Sequence, residues 1–251
     1  MKEQLNCVMN IGEQMLRSGA EVHRVEDTVT RICRAFGAVD VDVLVITSSM
    51  VVSVETPAGA VYTQTRRIEA LGTDFDKLDK LNRLSRRICS EGLTLEEIKA
   101  ELSRIADGKR YSFLAECGIY AVIAAAFTLF FGGNLVQGAV SLGIGALIRL
   151  VGFLGDKTVK NTVFSKFLSA FALTALAFSA ERIGLVPRTD EVIIGNIMLL
   201  IPGLGFTNAL RDLFTGDSIA GSLRVLEAVL AAAAIAAGYF LFVFLSGGGA
   251  V

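Results

Sequence analysis

The sequence predicts a membrane α-helical bundle of about five transmembrane helices, preceded by a small cytoplasmic α+β domain in the order ααβββαα. Three observations carry that prediction. Of the 251 residues 53% are hydrophobic, and a mean hydropathy of +0.57 is too high for an ordinary soluble domain. Charge is unevenly spread: residues 1–110 hold 16 of the 24 Lys/Arg and 17 of the 25 Asp/Glu, leaving 8 of each for residues 111–251. Finally, the apolar spacing in the first part switches from helical to alternating and back before long apolar runs begin. The expected domains are therefore 1–110 and 111–251.

In "EQLNCVMNIGEQMLRSGA" apolar residues recur every three or four positions from Leu5 to Leu16, which predicts a helix. Ser18-Gly19 punctuates it. A second helix follows in "EVHRVEDTVTRICRAFG", with Val22, Val25, Val29 and Ile32 on one face and Gly37 placed as a C-terminal cap. The β-branched runs "VDVDVLVITSS", "MVVSVET" and "AVYTQTRRI" predict a three-stranded antiparallel meander, with Pro57 in a turn. Two more helices, "DFDKLDKLNRLSRRICSEG" and "TLEEIKAELSRIA", complete the domain, and Thr94 with Glu97 forms a capping box for the second.

From Phe113 the expected spans are about 113–131, 134–154, 163–180, 191–207 and 225–245, close to the roughly 17–25 residues a crossing needs. "MKEQLNCVMNIGEQ" lacks a basic segment followed by an apolar one, so no signal peptide is expected and the first domain is placed in the cytoplasm. Lys157, Lys160, Lys166, Arg211 and Arg224 then fall on inner connections, with Lys109 and Arg110 flanking the first span. That satisfies the positive-inside rule and leaves the C-terminal "SGGGAV" outside. Gly138, Gly143, Gly145 and Gly152, and the alanine run at 231–237, supply surfaces for close helix packing, within the bundle or against a partner chain.

The fourth span is broken. In "LLIPGLGFTNALRDLFTGD", Pro202 removes a backbone donor and Gly203 and Gly205 loosen what remains. Freed backbone groups at membrane depth need a cavity or protein partners, and discontinuous helices of this kind line substrate sites in transporters. A Pro kink satisfied by neighbouring helices is the plainer alternative. Asn208 and Asp212 share a helical face just beyond the break, and Asn196 lies upstream in the same span. Glu116 and Glu227 near span ends read as structural residues, Asn134 and Gln137 as interfacial ones, and Arg149 as an anchor or an attractor of anions.

In the first domain "SGAEVHRVEDTVTRI" is the densest polar cluster, with Glu21, Arg24 and Glu26 within two helical turns; a solvated face with an ion pair is the alternative to a functional role. His23 is the sole histidine and has no evident catalytic partner. Cys7, Cys33, Cys89 and Cys117 are far apart and read as isolated thiols in a reducing compartment, not as a metal or disulfide set. A net charge of -1 argues against a nucleic-acid partner. Metalloprotease, nucleophile-elbow, P-loop and dinucleotide-binding patterns are absent, so no cofactor, metal or enzymatic activity is expected. "TGDS" at 215–218 resembles the GxGD of intramembrane aspartyl proteases only weakly, since Phe214 replaces the first glycine and no second intramembrane aspartate completes a dyad.

Taken together, "SGAEVHRVEDTVTRI" and "IPGLGFTNALRDLFTGDSIAGSLRVLEA" resemble the threonine/serine exporter family along nearly the whole chain. The resemblance is to its split form, in which a cytoplasmic domain plus five spans makes one polypeptide. His23 departs from the tyrosine or other large residue expected there. The resemblance implies export of small amino acids, or of a dicarboxylate in some split pairs, coupled to the proton-motive force. It also implies a second, smaller membrane subunit with the complementary spans, with or without homo-oligomerisation, in the inner cell membrane. The motif positions it carries over are Gly19, Glu21, Arg24 and Glu26, then Pro202, Gly203, Asn208, Asp212 and Gly216. The break would wall a substrate path and Asp212 would carry the proton. A membrane-anchored sensor or scaffold is the competing reading, and it leaves the broken span unexplained.

Overall fold

The computed structural model describes residues 1–69, 71–108, 111–158 and 161–247, with the side chains of 156–158 excluded. Of the cations invoked for orientation, Lys109, Arg110, Lys160 and the side chain of Lys157 lie outside the described residues, as does most of "SGGGAV". The chain clusters into two compact units, Met1–Lys109 with Leu204–Val225 and Arg110–Gly203 with Leu226–Val251.

The first unit begins with helices α1 (Lys2–Arg17) and α2 (Val22–Ala35), followed by strands β1 (Asp40–Ile46), β2 (Ser49–Glu55) and β3 (Val61–Arg67), then α3 (Phe75–Glu91) and α4 (Leu95–Ala106). This is the ααβββαα order read from the periodicity. The strands form an antiparallel sheet in the order β1-β2-β3, with Val43 opposite Val52 and Val52 opposite Gln64. Alternation sets its faces. Met50, Val52 and Val54 are buried beneath the helices, while β3 carries mostly exposed side chains, as a sheet covered on one side should. Leu5, Met9, Met15, Ile32, Met50, Leu81 and Ile98 fill the core, each fully buried and each contributing about 1.5–3 kcal/mol. Gly37, at a φ of 89°, turns the chain out of α2. The Thr94–Glu97 capping box is formed.

This unit is completed from far along the chain. Most of α9 (Gly203–Thr215) and Ser218–Val225 of α10 (Ser218–Leu245) belong to it, and Ala220 joins its hydrophobic core.

The second unit holds α5 (Phe113–Phe130), α6 (Leu135–Thr158), α7 (Thr162–Arg182), α8 (Asp190–Ile197) and the remainder of α10. Four of the described helices, α5, α6, α7 and α10, are long and apolar enough to cross a membrane. Leu114, Phe130, Leu135 and Phe244 are each more than three-quarters exposed, as lipid-facing residues are. The expected span at 191–207 is not one helix. Its first part, α8, has 8 residues and covers only about 12 Å of the roughly 30 Å hydrocarbon layer.

Close approach ties α5 to its neighbours. A Cβ on Gly145 would lie 2.7 Å from Tyr120 O, and one on Gly195 of α8 would lie 2.6 Å from Thr128 N. Gly143 and Gly152 face open space instead, so only part of the small-residue stripe serves packing within this chain. Glu116 and Arg149, read separately from sequence, form one ion pair between α5 and α6 at 2.8 Å, with the guanidinium near the Phe113 and Tyr120 rings.

Candidate functional site

The two sequence motifs meet within the first unit. Gly19, at a φ of 94°, makes the elbow between α1 and α2, and Ser18 O accepts from Asp74 N at 3.0 Å. Glu21 stands at the N-cap of α2, yet its side chain makes no capping bond. Asp212, fully buried, takes that part from 190 residues away: its Oδ1 accepts from Val22 N at 3.3 Å. The amides at a helix start lack intrahelical partners and carry partial positive charge, so a carboxylate there satisfies both needs.

Three more contacts close this clasp. Asn208 Nδ2 donates to Gly19 O at 3.2 Å, and Arg224 Nη2 donates to Ala20 O, also at 3.2 Å. Arg211 pairs with Glu21. Arg224, 7% exposed, places Nη1 2.9 Å from Asp212 Oδ2. That contact is an ion pair without hydrogen-bond alignment, and Arg224 Nε has no hydrogen-bond partner among the described residues. Gly216, at a φ of 100°, turns the chain from α9 toward α10, and Asp217 N reaches back to Asp212 O at 2.9 Å.

Two carboxyls here, Asp212 and Glu26, are held above their usual range. Burial raises the pKa of Asp212 most; Arg224 and the Val22 amide oppose it, while Asp217 and Glu21 add to the rise. Glu26 is raised too, by burial first and by Asp217, against the bond that its Oε1 accepts from Val45 N at 2.9 Å. Such carboxyls can gain a proton at a pH where exposed ones do not. Glu21 thus pairs with Arg211 of α9 and Glu26 with β1, while the exposed Arg31–Asp27 ion pair lies on the solvated side of α2. Among the described residues no group of three or more His, Cys, Asp or Glu is arranged to hold a metal ion.

Asn196 lies in the second unit. It is fully buried, and its Nδ2 donates to Ser141 Oγ at 3.1 Å and Val192 O at 2.8 Å. Ser141 Oγ in turn lies 2.7 Å from Thr128 Oγ1, so α5, α6 and α8 share a buried hydroxyl–amide chain. Asn196 Oδ1 has no hydrogen-bond partner among the described residues, an arrangement that favours an incoming donor. Gln137, near the start of α6, is buried within the protein at 4% exposure, and its Nε2 donates to Glu191 Oε2 at 2.8 Å and Arg188 O at 3.0 Å.

At the break itself, residues 198–202 are non-helical, and Pro202 has no amide to donate. One freed carbonyl, Leu200 O, accepts from Lys166 Nζ at 2.5 Å. Lys166 was expected in an inner loop; it stands in α7 because a lysine near the start of an apolar helix can bend its head to a polar group. The break that Pro202 led one to expect is thus present in the chain. Sequence reasoning missed Arg224 as a buried partner, along with Thr128, Ser141 and Glu191. An arginine between Leu223 and Val225, at the start of an apolar run, was the available signal for Arg224.

Comparison with known proteins agrees with the motifs. The chain is 26% identical over 254 residues to the threonine/serine exporter of Corynebacterium glutamicum, covering 96% of this chain and 51% of that protein. It is 22% identical over 233 residues to pheromone-regulated membrane protein 10 of Kluyveromyces lactis, covering 89% of this chain and 24% of that one. The corresponding protein of Eremothecium gossypii is 23% identical, with 89% and 30% covered. The chain thus spans about half or less of the length of these curated relatives. No solved structure matches it. The family model described as "Putative threonine/serine exporter" matches residues 6–245, and the chain belongs to the threonine/serine exporter family.

Proposed function

We propose that this chain is one subunit of a secondary exporter that moves small amino acids of the threonine/serine class, or a small dicarboxylate, out of the cell. The observation that carries the reading is the family match over residues 6–245, which takes in both the elbow motif and the broken segment. Because the relatives are longer, a second membrane subunit with complementary spans, or further copies of this chain, would complete the path.

Asp212 would carry the coupling proton. The support is its burial, its raised pKa and its contact with Arg224: protonation would weaken that pair, and with it the clasp on Gly19–Val22. Asn196 Oδ1 would accept from the ammonium or hydroxyl of a passing substrate.

Five crossings of the cell membrane, which put the two termini on opposite sides, are supported by parity, and the positive-inside rule supports the N-terminus as the inner one. Residues 1–109 and 204–225 belong to one unit, which supports a reading with both segments on the same side. On that reading an even number of crossings would separate them, and α5, α6 and α7 would supply three. The broken segment would supply the fourth and α10 the fifth.

Efflux from cells loaded with labelled serine, threonine and succinate tests the function, with and without this gene and after its re-expression. Restored efflux of one compound supports export and names the class. Unchanged efflux of all three, with the protein present in the membrane, rejects export of these substrates.

A further inference from the structure

Away from the clasp, the first unit has a cleft of about 250 Å³ between α2 and α3. Its walls follow from helical spacing. Arg24, Asp27 and Arg31 recur at three- and four-residue steps on α2, and Ser85 and Arg86 stand three and four residues after Asn82 on α3. Each trio lies on one helical face, and the two faces meet across the cleft. Arg31 is paired with Asp27. Neither Arg24 nor Arg86 has an ion pair or side-chain hydrogen bond among the described residues, whereas Arg83 and Arg87, on either side of Arg86, are both paired with carboxylates. Three guanidiniums therefore face one carboxylate in a concave site.

We propose that this cleft binds a small multivalent oxyanion, a phosphate ester or polycarboxylate, through Arg24 and Arg86. Guanidinium groups offer paired N–H donors matched to carboxylate and phosphate oxygens. The amide of Asn82 adds polar capacity, and Ser85 Oγ already donates to Asn82 O at 2.8 Å, which fixes that part of the wall. No aromatic ring lines the cleft, so a nucleobase would find nothing to stack on, and the charged group itself is what the site recognises. The volume limits the ligand to metabolite size. The site also assigns a role to Arg24, which the motif singled out and which takes no part in the Asp212 clasp. The proposal does not depend on export.

The test is calorimetric titration of the purified full chain in detergent with pyrophosphate and, separately, with citrate, at about 150 mM salt, where long-range attraction by surface charge is largely screened. Saturable binding of either anion is expected, weakened roughly tenfold or more by Arg86→Gln and by Arg24→Gln. Arg86→Lys, which keeps charge but loses the paired donors, should fall between. Arg104→Gln, on α4 and outside the cleft, should bind as the parent does. The stronger of the two titrations distinguishes phosphate from carboxylate ligands. Absence of binding by the folded parent overturns the proposal, as does binding that Arg104→Gln weakens as much as Arg86→Gln does. Near-ultraviolet circular dichroism identical to the parent's is required of each variant, and Arg24→Gln serves as the second, independent variant should Arg86→Gln fail it.

Discussion

Asp212 and Arg224 hold opposite charges 2.9 Å apart with almost no exposure of either side chain. Removing one member of a buried pair strands the other, at a cost of about 3–5 kcal/mol. Asp212→Ala should therefore destabilise the protein strongly in denaturant unfolding of the detergent-solubilised chain. Asp212→Asn, which can still accept from Val22 N, should cost clearly less. Adding Arg224→Met to Asp212→Ala should recover much of the loss. Additive losses in the double variant would mean that the two charges are not energetically coupled.

Stability should depend on pH in a defined direction. Asp212 and Glu26 have folded pKa values above their ordinary ones. Between the ordinary and the raised value the native state holds protons that the unfolded chain has released, so stability falls as pH rises through that window, beginning near about pH 4. Below it the favourable contribution is complete, and above it the contribution is gone. Midpoints of thermal unfolding across pH 4–8 measure this, and Glu26→Gln should flatten part of the slope. An unchanged slope in that variant would remove Glu26 from the account.

Glycine substitutions separate packing from open surface. Gly195→Ala would drive a methyl group into the backbone of Thr128, which cannot yield as a side-chain tip can. It should lower stability by about 1–3 kcal/mol or more. Gly143→Ala meets nothing within 4 Å and should be neutral in the isolated chain. Should Gly143→Ala nevertheless abolish assembly with another subunit, that face is a contact between chains.

The crossing count is open to thiol labelling. In a Cys117→Ser background, Cys89 and a cysteine at Ser218 should react with a membrane-impermeant maleimide from the same side. A cysteine at Ser246 should react only from the other. Labelling of Ser218→Cys and Cys89 from opposite faces would contradict four crossings before α9.

What the sequence conveyed depended on range. Periodicity over a dozen residues was enough for α1 to α4 and the β1-β2-β3 meander, because amphipathic burial repeats at 3.6 or 2 residues. Pro202 marked the break by its chemistry alone. Pairings across long separations left no such trace. Asp212 capping α2, Arg224 reaching Ala20 and Gln137 meeting Glu191 depend on how distant elements dock, and no local pattern encodes that. Glu116 and Arg149 were each noticed, yet their contact required the helix pairing that Gly145 permits.

The first unit is closed by residues 204–225, with the whole of 110–203 synthesised in between. At roughly 5–20 residues per second, translation of that stretch takes about 5–20 s. Throughout that time the nascent elbow at Gly19–Val22 waits without Asp212, Asn208 or Arg224, its helix start uncapped. Maturation is therefore ordered by the ribosome: the early segment must remain soluble while membrane helices are made, and only then can it finish folding. A stop or stall within that interval leaves a fragment that lacks its own clasp, a ready target for proteolytic quality control.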